Sequence, residues 1–109
     1  MMDLYWKILT VARSVGKAEG YAIGLHGSGI RDLDLIACPW TEEAADTNHF
    51  VMRFVDCLKF AGIDAREVDA VPEEGDVWPK PCIKPHGRLA VTIFIEGFFY
   101  VDLSIMPKR

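Results

Sequence analysis

The chain has 109 residues and a formal net charge of −4, with a sequence pI near 5.3. This length predicts a single domain, residues 1–109, that buries about two-thirds of the surface of the unfolded chain. The negative charge does not favour binding to nucleic acid. No apolar run is long enough to cross a membrane, and Asp3, Lys7 and Arg13 interrupt any signal-peptide pattern. The three cysteines are widely spaced, which predicts reduced thiols in a cytoplasmic protein.

The N-terminal segment predicts a helix followed by two strands. The helix spans residues 4–18, with Asp3 as its N-cap and a stop near Gly20. Its apolar residues recur at helical spacing: Leu4, Ile8, Val11 and Val15. Strands are predicted at 21–26 and 32–37, joined by a tight glycine-rich connection.

A second helix is predicted in the middle of the chain, ending at Gly62. Its candidate N-caps are Thr41, Asp46 and Thr47, and its apolar face comprises Phe50, Val51, Phe54, Val55, Leu58 and Ala61. Residues 64–71 form a weaker candidate strand. Residues 72–87 are rich in proline and are predicted to be one long loop, of the kind that is usually functional or mobile.

The C-terminal segment predicts a β-hairpin, with strands at 89–95 and 98–105 joined by a two-residue turn, Glu96-Gly97. This turn places Val91 opposite Asp102 and makes both faces of the hairpin apolar, so that both need to be covered. The predicted fold is therefore α+β: a small mixed β-sheet with two helices on one face and a C-terminal hairpin.

Residues Gly24 to Trp40 hold the strongest functional signal. A glycine-rich turn, Gly27-Ser28-Gly29, is followed by Asp32 and Asp34 on a predicted strand. Residues two apart on a strand point to the same side, so both carboxylates are directed at one place. Carboxylate oxygens suit hard divalent cations, and backbone amides in a glycine turn suit phosphate oxygens.

Asp102 is the one charged residue within the last predicted strand. A buried aspartate is costly unless it is paired or binds a metal ion. If its strand lies beside the strand of Asp32 and Asp34, three carboxylates converge and can hold one or two Mg²⁺ ions.

This pattern, glycine-serine after a strand, then Asp-x-Asp, then a lone aspartate on a later strand, resembles the nucleotidyltransferase (polymerase-β-like) superfamily in a minimal single-domain form. The resemblance implies that Gly27 and Ser28 bind phosphate and that Asp32, Asp34 and Asp102 are the catalytic, metal-binding carboxylates. It also implies transfer of a nucleotidyl group from a nucleoside triphosphate to a hydroxyl, with Mg²⁺ as cofactor and loss of pyrophosphate.

The spacing departs from the family pattern. Only Gly29, Ile30 and Arg31 separate Ser28 from Asp32. The family has a longer segment here, with a short helix that helps to hold the triphosphate. Arg31 is a candidate to replace part of that positive charge.

The basic segment 80–88 has two interpretations. Lys84 and Arg88 are candidate phosphate-binding residues if it closes over the carboxylates as a clamp; otherwise it is a solvated, proline-stiffened connector. His26 is either a partner of the carboxylates or a surface histidine. A zinc site is not predicted, because the sequence does not contain two closely spaced pairs of cysteine or histidine ligands. Four aromatic residues either stack on a nucleobase or serve as core and oligomer contacts: Trp40, Trp78, Phe98 and Tyr100.

The function predicted from sequence is therefore a minimal nucleotidyltransferase-like domain that binds a nucleotide or other phosphate ligand with Mg²⁺. Two alternatives remain. One is a catalytically inactive binding or accessory module of the same fold, acting through a homodimer or a protein partner. The other is a regulatory or toxin–antitoxin partner, in which the carboxylates form a charged patch for a second protein.

Overall fold

The computed structural model describes residues 2–26, 33–68, 82–83, 89–97 and 99–107. It describes the backbone alone for Met2, His26, Val68, Cys82, Ile83 and Phe99. The described residues form two helices, α1 (Met2–Glu19) and α2 (Thr47–Phe60). They also form six strands: β1 (Tyr21–His26), β2 (Leu33–Pro39), β3 (Ala65–Val68), β4 (Cys82–Ile83), β5 (Leu89–Ile95) and β6 (Phe99–Ile105).

The strands form one mixed sheet in the order β1-β2-β6-β5-β3, and β4 also pairs with β5. β2 and β6 are parallel, and the other pairs are antiparallel. Two parallel strands need a crossover connection, and here the chain passes through α2, β3, β4 and β5 between them. The α+β fold with a mixed sheet, two helices on one face and a C-terminal hairpin is confirmed.

The two faces of the sheet differ because successive residues of a strand project to opposite sides. One face packs against both helices and supplies the buried strand residues of the core, including Leu35, Ala37, Val91, Ile93, Ile95, Val101, Leu103 and Ile105. We call the other side the open face; the residues described on it are Ala22, Gly24, Asp34, Ile36, Cys38, Arg66, Ala90, Thr92, Phe94, Tyr100, Asp102 and Ser104.

α1 packs on the core face through a buried stripe at helical spacing, formed by Ile8, Leu9, Ala12 and Val15. The helix begins at Met2, so Asp3 lies in its first turn and is not the predicted N-cap. The helix ends before Gly20, which has a φ of +88°. A Cβ atom at Gly20 would lie 2.5 Å from the Thr41 hydroxyl oxygen, so this position requires glycine in both conformation and space.

α2 begins and ends at two of the predicted signals. Asp46 is the N-cap, and its carboxylate accepts a hydrogen bond of 2.8 Å from the backbone N–H of His49. Gly62, with a φ of +87°, follows the C-cap Ala61. The apolar side of α2 is buried at Phe50, Val51, Phe54, Val55 and Leu58. No helix in the described part of the chain is both long and apolar enough to span a membrane.

Tyr21 links β1 to the segment before α2. Its hydroxyl donates a hydrogen bond of 2.6 Å to the backbone oxygen of Ala45, and its ring centre lies 4.5 Å from that of Phe50. Burial raises the pKa of the Tyr21 hydroxyl above its ordinary value. This contact holds the first strand against the helical layer.

The hairpin turn is one residue longer than predicted. Pairing ends at Ile95 and Phe99, so that three residues, 96–98, connect β5 to β6. Glu96 and Gly97 both adopt positive φ values, 53° and 77°. Phe98 lies outside the described residues.

The longer turn changes which residues face each other. Asp102 pairs with Thr92, not with Val91 as predicted, and Tyr100 pairs with Phe94. A shift of one residue exchanges the two faces of a strand. Asp102 and Tyr100 therefore lie on the open face. The predicted register made both faces of the hairpin apolar, and this prediction is wrong for the open face.

The prediction of one loop over residues 72–87 is wrong at Cys82–Ile83, which forms β4 and pairs with Leu89 and Ala90. The rest of that predicted loop lies outside the described residues. Of the candidate strand 64–71, Ala65–Val68 form β3, Asp64 precedes the strand, and residues 69–71 lie outside the described residues.

Two phenylalanines of α2 provide a matched test of this packing. Phe54 is completely buried, whereas Phe60 is 96% exposed. We expect Phe54→Ala to lower the free energy of unfolding by about 3–5 kcal/mol, through lost burial and the cavity left behind. The same change at Phe60 should stay within about 0.5 kcal/mol. Urea denaturation measures both, and equal effects would contradict the orientation of α2.

Candidate site on the open face

Two aspartates lie side by side on the open face. Asp34 of β2 and Asp102 of β6 are paired positions on adjacent parallel strands. Such strands lie about 4.8 Å apart, and paired residues project to the same face. Both side chains are half-buried. Sequence reasoning required the strand of Asp102 to lie beside that of Asp34, and this strand order is observed.

Asp34 and Asp102 are the two middle positions in a row of paired residues that crosses β1, β2, β6 and β5. Thr92 of β5 pairs with Asp102, and the backbone of His26 in β1 pairs with Asp34. The Thr92 hydroxyl lies 3.4 Å from Oδ1 of Asp102, as a long hydrogen bond. The part played by the His26 side chain stays a prediction, since the structure describes only its backbone. Thr92 was not predicted as a site residue, because the two-residue turn placed it opposite a different residue.

The pairing of Asp34 with Asp102 is electrostatically unfavourable on its own. Like charges directly opposite on neighbouring strands destabilise a sheet. Three things can relieve two adjacent carboxylates: a proton, a hydrogen-bond donor or a bound cation. Thr92 supplies one donor to Asp102. Hard divalent cations take carboxylate oxygens as ligands, so this pair is a suitable start for a Mg²⁺ site.

Five of the predicted site residues lie outside the described residues: Gly27, Ser28, Asp32, Lys84 and Arg88. Their roles stay predictions. Within the described ranges, no three His, Cys, Asp or Glu side chains are grouped closely enough to hold a metal ion. The described part of the site therefore contains two of the three predicted carboxylates.

An aromatic row runs parallel to the aspartate row on the same face. Arg66 of β3, Phe94 of β5 and Tyr100 of β6 are paired across the three strands. The rings of Phe94 and Tyr100 are stacked, with centres 5.0 Å apart and planes inclined at 29°. The Arg66 guanidinium lies 5.2 Å from the centre of the Phe94 ring. Arg66 and Phe94 could not be found from the sequence, because their alignment depends on the hairpin register and on β3 pairing with β5.

None of the other three aromatic candidates is among the described members of this row. Trp40 follows β2 and is 70% exposed. Trp78 and Phe98 lie outside the described residues. Of the four aromatic residues proposed from sequence to stack on a base, Tyr100 is the one that the described structure brings near Asp34 and Asp102.

No protein-family model matches the sequence, and no curated protein matches it. Among solved structures, the fold is similar to that of the Cid1 poly(U) polymerase with MgGTP bound, with a TM-score of 0.53 and 9% sequence identity. The similarity covers 95% of this chain and 30% of that chain. The chain thus spans less than a third of the length of the polymerase. At this identity the similarity shows that the two chains share a fold.

The repulsion between the two carboxylates leads to a stability test. In buffer free of divalent cations, Asp34→Asn should leave the free energy of unfolding unchanged or raise it by up to about 1 kcal/mol, because it removes one of two opposed like charges. Urea denaturation in the presence of a chelator measures this difference.

Asp56→Asn is a matched control for that test. Asp56 is exposed on α2, away from the sheet, and its substitution should change stability by no more than about 0.5 kcal/mol. A clear loss of stability in Asp34→Asn alone would mean that the Asp34 carboxylate makes a stabilising contact and is not under repulsion.

Proposed function

We propose that this chain is a nucleotidyltransferase-like domain that binds a nucleotide together with Mg²⁺ on the open face. The observation that carries the proposal is the parallel pairing of β2 with β6, which sets Asp34 beside Asp102. The similarity in fold to a poly(U) polymerase whose structure contains MgGTP supports the same assignment. A divalent cation stabilises two adjacent carboxylates, and hard cations take carboxylate oxygens as ligands.

In the proposed site, Asp34 and Asp102 hold Mg²⁺ with Asp32 as a third ligand. Gly27 and Ser28 bind phosphate through backbone amides and the serine hydroxyl. Lys84 and Arg88 supply further positive charge to the phosphates. Because the chain as a whole has a net charge of −4, these two side chains have to lie close to the phosphates to attract them. Bound Mg²⁺ supplies the charge that offsets the phosphate oxygens.

The proposed reaction is transfer of a nucleotidyl group to a hydroxyl. The hydroxyl oxygen forms a bond to the α-phosphorus, and the bond from that phosphorus to the bridging oxygen breaks. Pyrophosphate leaves, and the hydroxyl proton passes to solvent.

A second candidate is a non-catalytic module that keeps the fold and acts through a homodimer or a protein partner. The observation that favours it is the short connection between Ser28 and Asp32, which leaves three residues for a segment that is longer in the family. Under this candidate the carboxylates contribute a charged surface, and no pyrophosphate is released.

Thermal unfolding with Mg²⁺ and each of the four ribonucleoside triphosphates tests the proposal. A ligand that binds only the folded state stabilises it by about 2.7 kcal/mol when its concentration is 100 times its dissociation constant. We expect a rise in the unfolding midpoint that needs both Mg²⁺ and nucleotide. The rise should be lost in Asp34→Asn and retained in Asp56→Asn.

Pyrophosphate release then separates the two candidates. A nucleotide-dependent rise accompanied by pyrophosphate release supports the transferase. The same rise without release, across candidate acceptors, supports the non-catalytic module. No rise with any nucleotide in the presence of Mg²⁺ would contradict nucleotide binding on the open face.

A further inference from the structure

The two edges of the described sheet differ in how well they are protected against pairing with another strand. β1 and β3 lie at opposite ends of the strand order. β3 carries Arg66 and Glu67, and charged side chains on an edge strand hinder further pairing. From Tyr21 to Leu25, β1 contains no charged residue and no proline. β1 is therefore the edge better suited to accept another strand.

Apolar side chains of β1 are exposed at this edge. Leu25 is 57% exposed, Ala22 is exposed and Ile23 is half-buried. Within the described part of the chain, β1 pairs with β2 alone, over six consecutive positions and without a bulge that would turn the edge away. The outer side of β1 thus combines the backbone donors and acceptors of an edge strand with exposed apolar side chains.

Gly24, in the middle of β1, is not explained by the fold of a single copy. Its φ does not lie in the left-handed region, and a Cβ atom there would meet no described atom within 4 Å. Glycine inside a strand costs about 0.5–1 kcal/mol relative to alanine. Such a glycine often marks a place where another backbone approaches closely. Its position agrees with a further strand beside β1.

We propose that β1 pairs antiparallel with β1 of a second copy of this chain, so that two sheets join into one across a two-fold axis. Paired residues of antiparallel strands share a face, so the axis passes through a residue and not between two residues. With the axis at Gly24, Ile23 of each copy lies opposite Leu25 of the other.

A second copy is the occupant that this edge favours, because one strand then supplies matching apolar side chains on both sides of the contact. The pairing covers Leu25 and brings the two Gly24 backbones together. It also places both open faces on the same side of the joined sheet. This inference goes beyond nucleotide binding and does not depend on it, since β1 contains neither Asp34 nor Asp102.

Sedimentation equilibrium over a series of protein concentrations tests this pairing, and we expect a monomer–dimer equilibrium. Leu25→Lys places a charge opposite Ile23 of the second copy and should weaken dimerisation by about 10-fold or more. Phe60→Lys is the matched control, because Phe60 is also an exposed apolar residue, 96% exposed, but lies at the end of α2. It should dimerise like the unaltered chain. Urea denaturation checks that both variants are folded.

Amide hydrogen exchange of the unaltered chain locates the interface without any substitution. The amides of β1 should exchange more slowly as the protein concentration rises, whereas those of β3 should not change. A monomer at every concentration would overturn the proposal and leave β1 to a different protein. A dimer that protects β3 instead of β1, or that Leu25→Lys leaves intact, would place the interface elsewhere and overturn it too.

Discussion

The pairing of β2 with β6 is the constraint on which the rest of this molecule depends. It joins the N-terminal helix and its two strands to the C-terminal hairpin, and it is the parallel pair of the described sheet. The same pairing buries Leu35 beside Leu103 on one face and sets Asp34 beside Asp102 on the other. The packing of the apolar face thus fixes the positions of the two carboxylates on the other side of the sheet.

Local signals in the sequence account for most of the secondary structure. The second helix was predictable because its cap, its apolar spacing and its terminal glycine all act within one segment, and Asp46 and Gly62 occupy those positions in the structure. The first strand was predicted at its observed bounds, Tyr21–His26, since a glycine precedes it and the glycine-rich sequence Gly27-Ser28-Gly29 follows it. Asp34 and Asp102 could also be identified as candidate site residues from the sequence, because both are aspartates on predicted strands.

The arrangement of those residues was less predictable, because register and strand order depend on contacts far apart in the chain. The hairpin was assigned a two-residue turn, whereas Ile95 pairs with Phe99 and three residues, 96–98, connect the two strands. That one change moved Asp102 opposite Thr92 and aligned Tyr100 with Phe94. The pairing of Thr92 with Asp102 and of Phe94 with Tyr100 therefore depends on the register of β5 and β6, whereas the pairing of Asp34 with Asp102 depends on the register of β2 and β6.

The most direct test of the central claim is a Mn²⁺ titration followed by electron paramagnetic resonance, with Mn²⁺ in place of Mg²⁺. The account predicts that the chain binds Mn²⁺, that Asp34→Asn and Asp102→Asn each weaken this binding strongly, and that Asp56→Asn does not. Binding that survives both substitutions in the sheet, or no binding by the unaltered chain, would contradict a metal site between β2 and β6.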